Sequence, residues 1–195
     1  MAMNRICVFA GASPGARPAY GEATRALGTA LVECGASLVY GGGWVGLMGV
    51  LADAVLAAGG EVVGVIQSHL ATREVAHAGL TELRVVESMH ERKMTMSELS
   101  DGVVALPGWL GTLEELFEML TWGQLGLHAK PCGLLQVDAY FDPLLEFLDW
   151  MVAERFVRPE HLAMLAVETG PERLLERMDA YEAPVTEKWL DRTTS

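Results

Sequence analysis

A chain of 195 residues, 51% of them apolar, sits at the upper end for one domain and can bury a sizeable core. Its formal net charge of −12 at pH 7 argues against a nucleic-acid partner, because a phosphodiester backbone is held by a basic face, yet it leaves room for one nucleotide held by a local cluster of donors. No apolar run reaches the roughly 18 residues that span a bilayer, so no membrane partner is expected and a cytoplasmic location is.

The first apolar run, Ile6-Cys7-Val8-Phe9-Ala10, is too short for a signal-peptide core and reads as a buried strand over Arg5–Ala10. Tyr20, Ala23, Leu27, Ala30, Leu31 and Cys34 then form one apolar stripe at helical spacing, with Gly35 placed to end that helix. Strand Ser37–Tyr40 follows, and after it a helix from Leu47 to Ala58 that stops at Gly59-Gly60. Strand Glu61–Ile66 carries the near-continuous apolar run Val62-Val63-Gly64-Val65-Ile66, which predicts cover on both faces. Further strands fall at Glu82–Val86, Asp101–Leu106, Cys132–Val137 and Leu165–Glu168. Such alternation predicts a Rossmann-like, doubly wound α/β fold, with a mainly parallel sheet of about seven strands and helices on both faces. Residues 1–183 read as a single domain and 184–195 as a polar tail.

The helix expected over Thr112–Leu125 has Leu113, Leu116, Phe117 and Leu120 as its core stripe, while Met119, Trp122 and Leu125 fall off it. A helix apolar on two sides in the outer layer of a small domain predicts a homodimer interface. The three cysteines, Cys7, Cys34 and Cys132, are scattered among apolar neighbours and are expected reduced and buried. No HExxH or CxxC occurs, so no metal site is expected.

Four segments converge on the carboxyl edge of such a sheet, where open α/β folds bind ligands. They are Gly11-Ala12-Ser13-Pro14-Gly15, Gly41-Gly42-Gly43-Trp44-Val45-Gly46-Leu47-Met48-Gly49, Ser88-Met89-His90-Glu91-Arg92-Lys93 and Pro107-Gly108-Trp109-Leu110-Gly111-Thr112-Leu113-Glu114-Glu115. Glycines ahead of a helix expose backbone N–H groups to an anion, and the adjacent Arg92-Lys93 pair either meets phosphate or pairs with carboxylates. GxxxxGK[ST] is absent, which argues against a P-loop nucleotidase, and the glycine turns are not read as those of a dehydrogenase. Thr112-x-x-Glu115 has the spacing of a capping box, in which both side chains serve only the helix end; the loop before it brings a ligand to that same end.

These motifs, in this order and spacing from about Arg5 to about Tyr181, resemble the Lonely Guy (LOG) family of cytokinin riboside 5′-monophosphate phosphoribohydrolases. The sequence departs from the family's Pro-Gly-Gly-x-Gly-Thr-x-x-Glu pattern at Trp109, which stands at the second glycine, and only Ser13 matches the paired serines after the first strand. The resemblance implies hydrolysis of the N-glycosidic bond of an adenosine 5′-monophosphate, N6-substituted or plain, in a homodimer without metal or organic cofactor. It assigns Arg92 and Glu115 as the catalytic pair and Gly108, Gly111 and Thr112 to the 5′-phosphate. Lys93, Glu74 and Thr121 are implied as substrate contacts, with Ser13, Gly43, Met89, Trp109 and Glu114 completing the set. Placed in the first turn of its helix, Glu115 is expected to stay ionised in the dipole field. Two rivals stand beside this reading: a pyridoxal-phosphate decarboxylase using Lys93, and a non-catalytic nucleotide-binding module, for which Trp109 is the support.

Overall fold

Strand and helix alternate along the chain as the apolar pattern requires. In the computed structural model, which describes residues 3–71 and 76–184, the chain runs through β1 (Arg5–Phe9), α1 (Pro18–Glu33), β2 (Ser37–Tyr40), α2 (Gly46–Ala57), β3 (Val62–Gln67) and the single turn α3 (Ser68–Ala71). It continues through β4 (Glu82–Val86), α4 (Met89–Glu98), β5 (Gly102–Ala105), α5 (Leu110–Gln124), β6 (Cys132–Leu135), α6 (Asp142–Ala153), the short α7 (Pro159–Leu162), β7 (Leu165–Glu168) and α8 (Pro171–Asp179). Gly35 and Gly59 follow α1 and α2 at φ +79° and +83°, the left-handed conformation that lets the chain leave a helix. Residues 185–195 of the expected polar tail lie outside the described residues.

The seven strands form one parallel sheet in the order β4-β3-β2-β1-β5-β6-β7. From β1 the chain winds outward to β4, then crosses back to lay β5 on the other side of β1. The order therefore reverses between β1 and β5, and the loops after those two strands part to leave a crevice. One face of the sheet buries Ile6, Val8, Leu38 and Tyr40 under α1, α2 and α8. On the other, Cys7, Phe9, Val39 and Val63 pack with Met96 of α4, Leu116 and Met119 of α5, and leucines of α6. Covered on both sides, Val62, Val63, Val65 and Ile66 of β3 are all buried; each contributes about 1.5–3 kcal/mol in removing its side chain from water.

Three expectations need correction. Cys34 is exposed at the end of α1, its thiol donating to the Leu31 carbonyl at 3.2 Å, whereas Cys7 and Cys132 are buried. Helix α5 begins at Leu110, two residues before Thr112, because Trp109 already holds the extended N-cap conformation. Its buried residues are Thr112, Leu116, Met119 and Gly123. Met119 thus belongs to the core, Leu113, Leu120 and Trp122 pack against it, and Phe117 faces an apolar groove shared with Leu144, Phe147 and Met151 of α6. Among the described residues, no helix is long and apolar enough to cross a membrane.

The sheet's carboxyl edge is locked by close backbone contact. The Leu47 amide donates to the Gly11 carbonyl at 2.9 Å, which seats the start of α2 on the loop after β1. Gly46, at φ +60°, lies so near Ala12 and Ser13 that a Cβ would overlap their backbone. Gly46→Ala therefore combines a left-handed Cβ with a backbone clash, and is expected to lower stability by about 3 kcal/mol in urea unfolding. A loss below about 0.5 kcal/mol, the scale of an ordinary surface change, would mean that the contact is not rigid.

Candidate active site

Helix α4 delivers both cations, and its N-terminus is fixed by a cap of its own. The Ser88 hydroxyl accepts from the Glu91 amide at 3.1 Å, while the Glu91 carboxylate accepts from the Glu87 amide at 2.9 Å. Ser88-x-x-Glu91 thus closes this helix end much as a capping box does, except that the Glu91 carboxylate takes the amide of Glu87 and not that of the N-cap Ser88. Thr112 and Glu115 form no such closure: Thr112 is the third residue of α5, Glu115 is the sixth, and no side chain caps that helix.

Arg92, one residue beyond Glu91, reaches under the glycine loop after β2. Its Nη1 donates to Glu115 Oε1 at 2.8 Å and its Nε donates to the Val65 carbonyl at 3.0 Å. The guanidinium lies over Gly41, where any side chain would collide with it. The side chains of Arg92 and Glu115 are only 11% and 12% exposed, so the pair is largely out of water. Burial pushes the Glu115 carboxyl above its ordinary range; Arg92 pulls it down, Glu114 adds to the rise, and the net direction is up. The expected dipole argument for Glu115 fails because the residue sits in the second turn of α5, past the reach of the helix end.

Lys93 turns to different acids. Its Nζ contacts Glu114 at 2.6 Å and Glu118 at 3.0 Å. Burial works to lower the Lys93 pKa, but hydrogen bonds to Glu114 and Glu118 outweigh it and hold the ammonium above the usual lysine range. Two neighbouring cations of α4 thus clip onto two neighbouring stretches of α5.

At the reversal point of the sheet lies a cleft of about 450 Å³ walled by Ser13, Tyr20, Gly108, Trp109 and Tyr140; neither Arg92 nor Glu115 lines it. The Gly11 amide donates to the Pro107 carbonyl at 3.1 Å, joining the loops after β1 and β5. Gly108 is needed as glycine because the Thr112 side chain occupies the place a Cβ would take. With no side chain capping α5, the amides of its first turn remain available to an anion. Trp109 is 77% exposed with φ −102°, so it demands no glycine-like backbone and leaves the loop open.

Of the other expected residues, Ser13 lines the cleft and its hydroxyl accepts from the Gly15 amide at 3.4 Å. Gly43 forms an isolated antiparallel bridge with Ala76, and Met89 opens α4 with its side chain exposed. Gly111 sits in the first turn of α5 with open space around it. Thr121 is not brought to the cleft: its hydroxyl donates to the Phe117 carbonyl at 2.7 Å and its side chain borders the groove between α5 and α6. Glu74 lies outside the described residues. Tyr20 reads in the sequence only as part of the α1 apolar stripe, and Tyr140 does not stand out at all. The one available signal for Tyr140 was its place just after a strand, at the edge where ligands bind.

A family model described as "Possible lysine decarboxylase" matches residues 48–178. The chain is 48% identical over 178 residues to "Probable cytokinin riboside 5'-monophosphate phosphoribohydrolase LOGL1" of Oryza sativa subsp. japonica, covering 91% of this chain and 80% of that one. It is 46% identical over 179 residues to "Cytokinin riboside 5'-monophosphate phosphoribohydrolase LOG7" of Arabidopsis thaliana, covering 92% and 82%. Among solved structures, the molybdenum cofactor binding protein from Rippkaea orientalis superposes with a TM-score of 0.69 at 23% identity, covering 92% of this chain and 98% of that one. At that identity the likeness concerns the fold alone.

The raised Glu115 pKa has a sign for stability. A carboxyl whose folded pKa exceeds its unfolded value contributes most below the unfolded pKa, and that contribution is lost as pH rises through the folded one. Ionised Glu115 therefore costs stability at neutral pH, and Glu115→Gln is expected to be as stable as wild type or more so, with a flatter decline from acid to neutral pH in thermal melts. A loss of about 3 kcal/mol, the mark of a stranded buried partner, would show that the pairing with Arg92 dominates instead.

Proposed function

The chain belongs to the cytokinin riboside 5′-monophosphate phosphoribohydrolase family, and from that premise we propose that it hydrolyses the N-glycosidic bond of an adenosine 5′-monophosphate, N6-substituted or plain, to free base and ribose 5-phosphate. The observation that carries this reading is the buried Arg92–Glu115 pair beside an uncapped helix start. Thr112 and Glu115 lie three residues apart on one face of α5, roughly 5–6 Å between Cβ atoms. A phosphate on the first turn then puts the anomeric carbon of its ribose near the carboxylate.

Breaking the bond builds positive charge on the sugar, as in glycoside hydrolysis. Glu115 stabilises that charge and deprotonates the attacking water. Its raised pKa makes it a better base than an exposed glutamate, while Arg92 opposes its neutralisation. The guanidinium holds its own proton too tightly to serve as the acid; it orients the carboxylate instead. Gly108, Gly111 and Thr112 take the phosphate, with Ser13 across the cleft.

Decarboxylation through pyridoxal phosphate does not fit these residues. A Schiff base needs a neutral amine, and Lys93 is held protonated between Glu114 and Glu118. Lys130 donates to the Ser97 carbonyl just before β6, at the opposite edge of the sheet. The third lysine, Lys188, lies outside the described residues.

Incubation with AMP and with N6-isopentenyl-AMP, following free base by chromatography, is expected to show release that falls by about 100-fold in Glu115→Gln. The nucleoside without its phosphate is expected to be a poor substrate, since remote binding supports turnover as well as affinity. Equal rates for nucleoside and nucleotide would contradict the assignment.

The homodimer remains part of the proposal. Its support is the apolar surface of Leu125, Leu127, Phe147 and Trp150, all more than half exposed, around the groove between α5 and α6. Phe147→Glu puts a charge on that surface and is expected to turn dimer into monomer in sizing chromatography. A wild type that runs as monomer across concentrations would refute the dimer.

A further inference from the structure

The geometry points to Tyr140 as a positioning residue that sets the orientation of the phosphate-binding amides, an inference that rests on the phosphate reading of the loop from Pro107 to Thr112. Tyr140 Oη donates to the Gly108 carbonyl at 2.6 Å. That carbonyl belongs to the same rigid peptide unit as the Trp109 N–H. Fixing the oxygen fixes the direction of the amide at the N-cap of α5, where no side chain does so.

The ring is held from two sides. It packs edge-on against Tyr20, with centroids 5.6 Å apart, and against Phe141 at 4.9 Å. The backbone leading to it is strained: Asp138 and Ala139, both bearing Cβ atoms, take φ +48° and +60° in succession. Such conformations persist only where the surroundings over-determine them. Here Arg17 supplies one tether, its Nη1 donating to the Asp138 carbonyl at 3.3 Å and lying 3.6 Å from the Asp138 carboxylate. The strained pair turns the chain after β6 back over the crevice and aims the Tyr140 hydroxyl at Gly108.

Tyr140→Phe keeps the ring and deletes the hydrogen bond. Calorimetric titration with ribose 5-phosphate, which needs no turnover, is expected to show affinity weakened about tenfold, the scale of one lost hydrogen bond to a binding element. Thermal stability and affinity for free adenine should stay at wild-type values. Unchanged ribose 5-phosphate affinity overturns the inference, and so does a loss of affinity that tracks a fall in melting temperature. Thr112→Ala separates the two levels. If it weakens ribose 5-phosphate binding and Tyr140→Phe does not, the positioning role alone fails; if neither does, the phosphate reading of the loop fails with it.

Discussion

The ion pair between Arg92 and Glu115 ties the carboxyl edge of this protein together. It bridges α4 and α5 across the end of β3, where the Val65 carbonyl accepts a second hydrogen bond from the same guanidinium. Two charges taken out of water at such a place cost more than a surface pair would, and they persist only when hydrogen bonds satisfy them. Each surrounding feature answers that demand. Gly41 has no side chain because the guanidinium needs the space, and the Ser88–Glu91 cap fixes the helix that delivers Arg92. Lys93, one residue on, holds α4 and α5 in register through Glu114 and Glu118.

A buried carboxylate at a raised pKa is a stability cost with a chemical use. The carboxylate is more basic than an exposed one, yet the adjacent cation opposes its neutralisation. The proposed anion site is built on the opposite principle. Around the start of α5 the protein supplies backbone dipoles and small residues, with the net charge of the whole chain at −12. On the proposed reading, a phosphate is recognised there by local geometry in a protein whose overall field repels it.

Most of the fold was legible in the sequence because the pattern alternates so plainly. All seven strands fall where apolar runs predicted them, β3 most clearly, since cover on both faces leaves an unbroken run such as Val62 to Ile66. The site was legible as a set of residue types and less so as a set of contacts. Arg92 and Lys93 stood out as adjacent cations, but only the tertiary arrangement sends one to Glu115 and the other to Glu114 and Glu118. Thr-x-x-Glu spacing occurs inside a helix as readily as at its end, so Thr112–Glu115 imitated a cap while Ser88–Glu91 formed one. The ionisation of Glu115 depends on burial, which spacing does not report. Tyr140 was invisible for the same reason: its partner, Gly108, is 32 residues away.

The central claim, that Arg92 and Glu115 act as one unit, is tested most directly by a double-mutant cycle on base release, comparing Arg92→Gln, Glu115→Gln and the double variant under one set of conditions. Residues that act together are non-additive. The double variant is therefore expected to be no slower than the worse of the two single variants. A double variant whose loss equals the product of the two single losses would contradict the account, because the two side chains would then contribute independently.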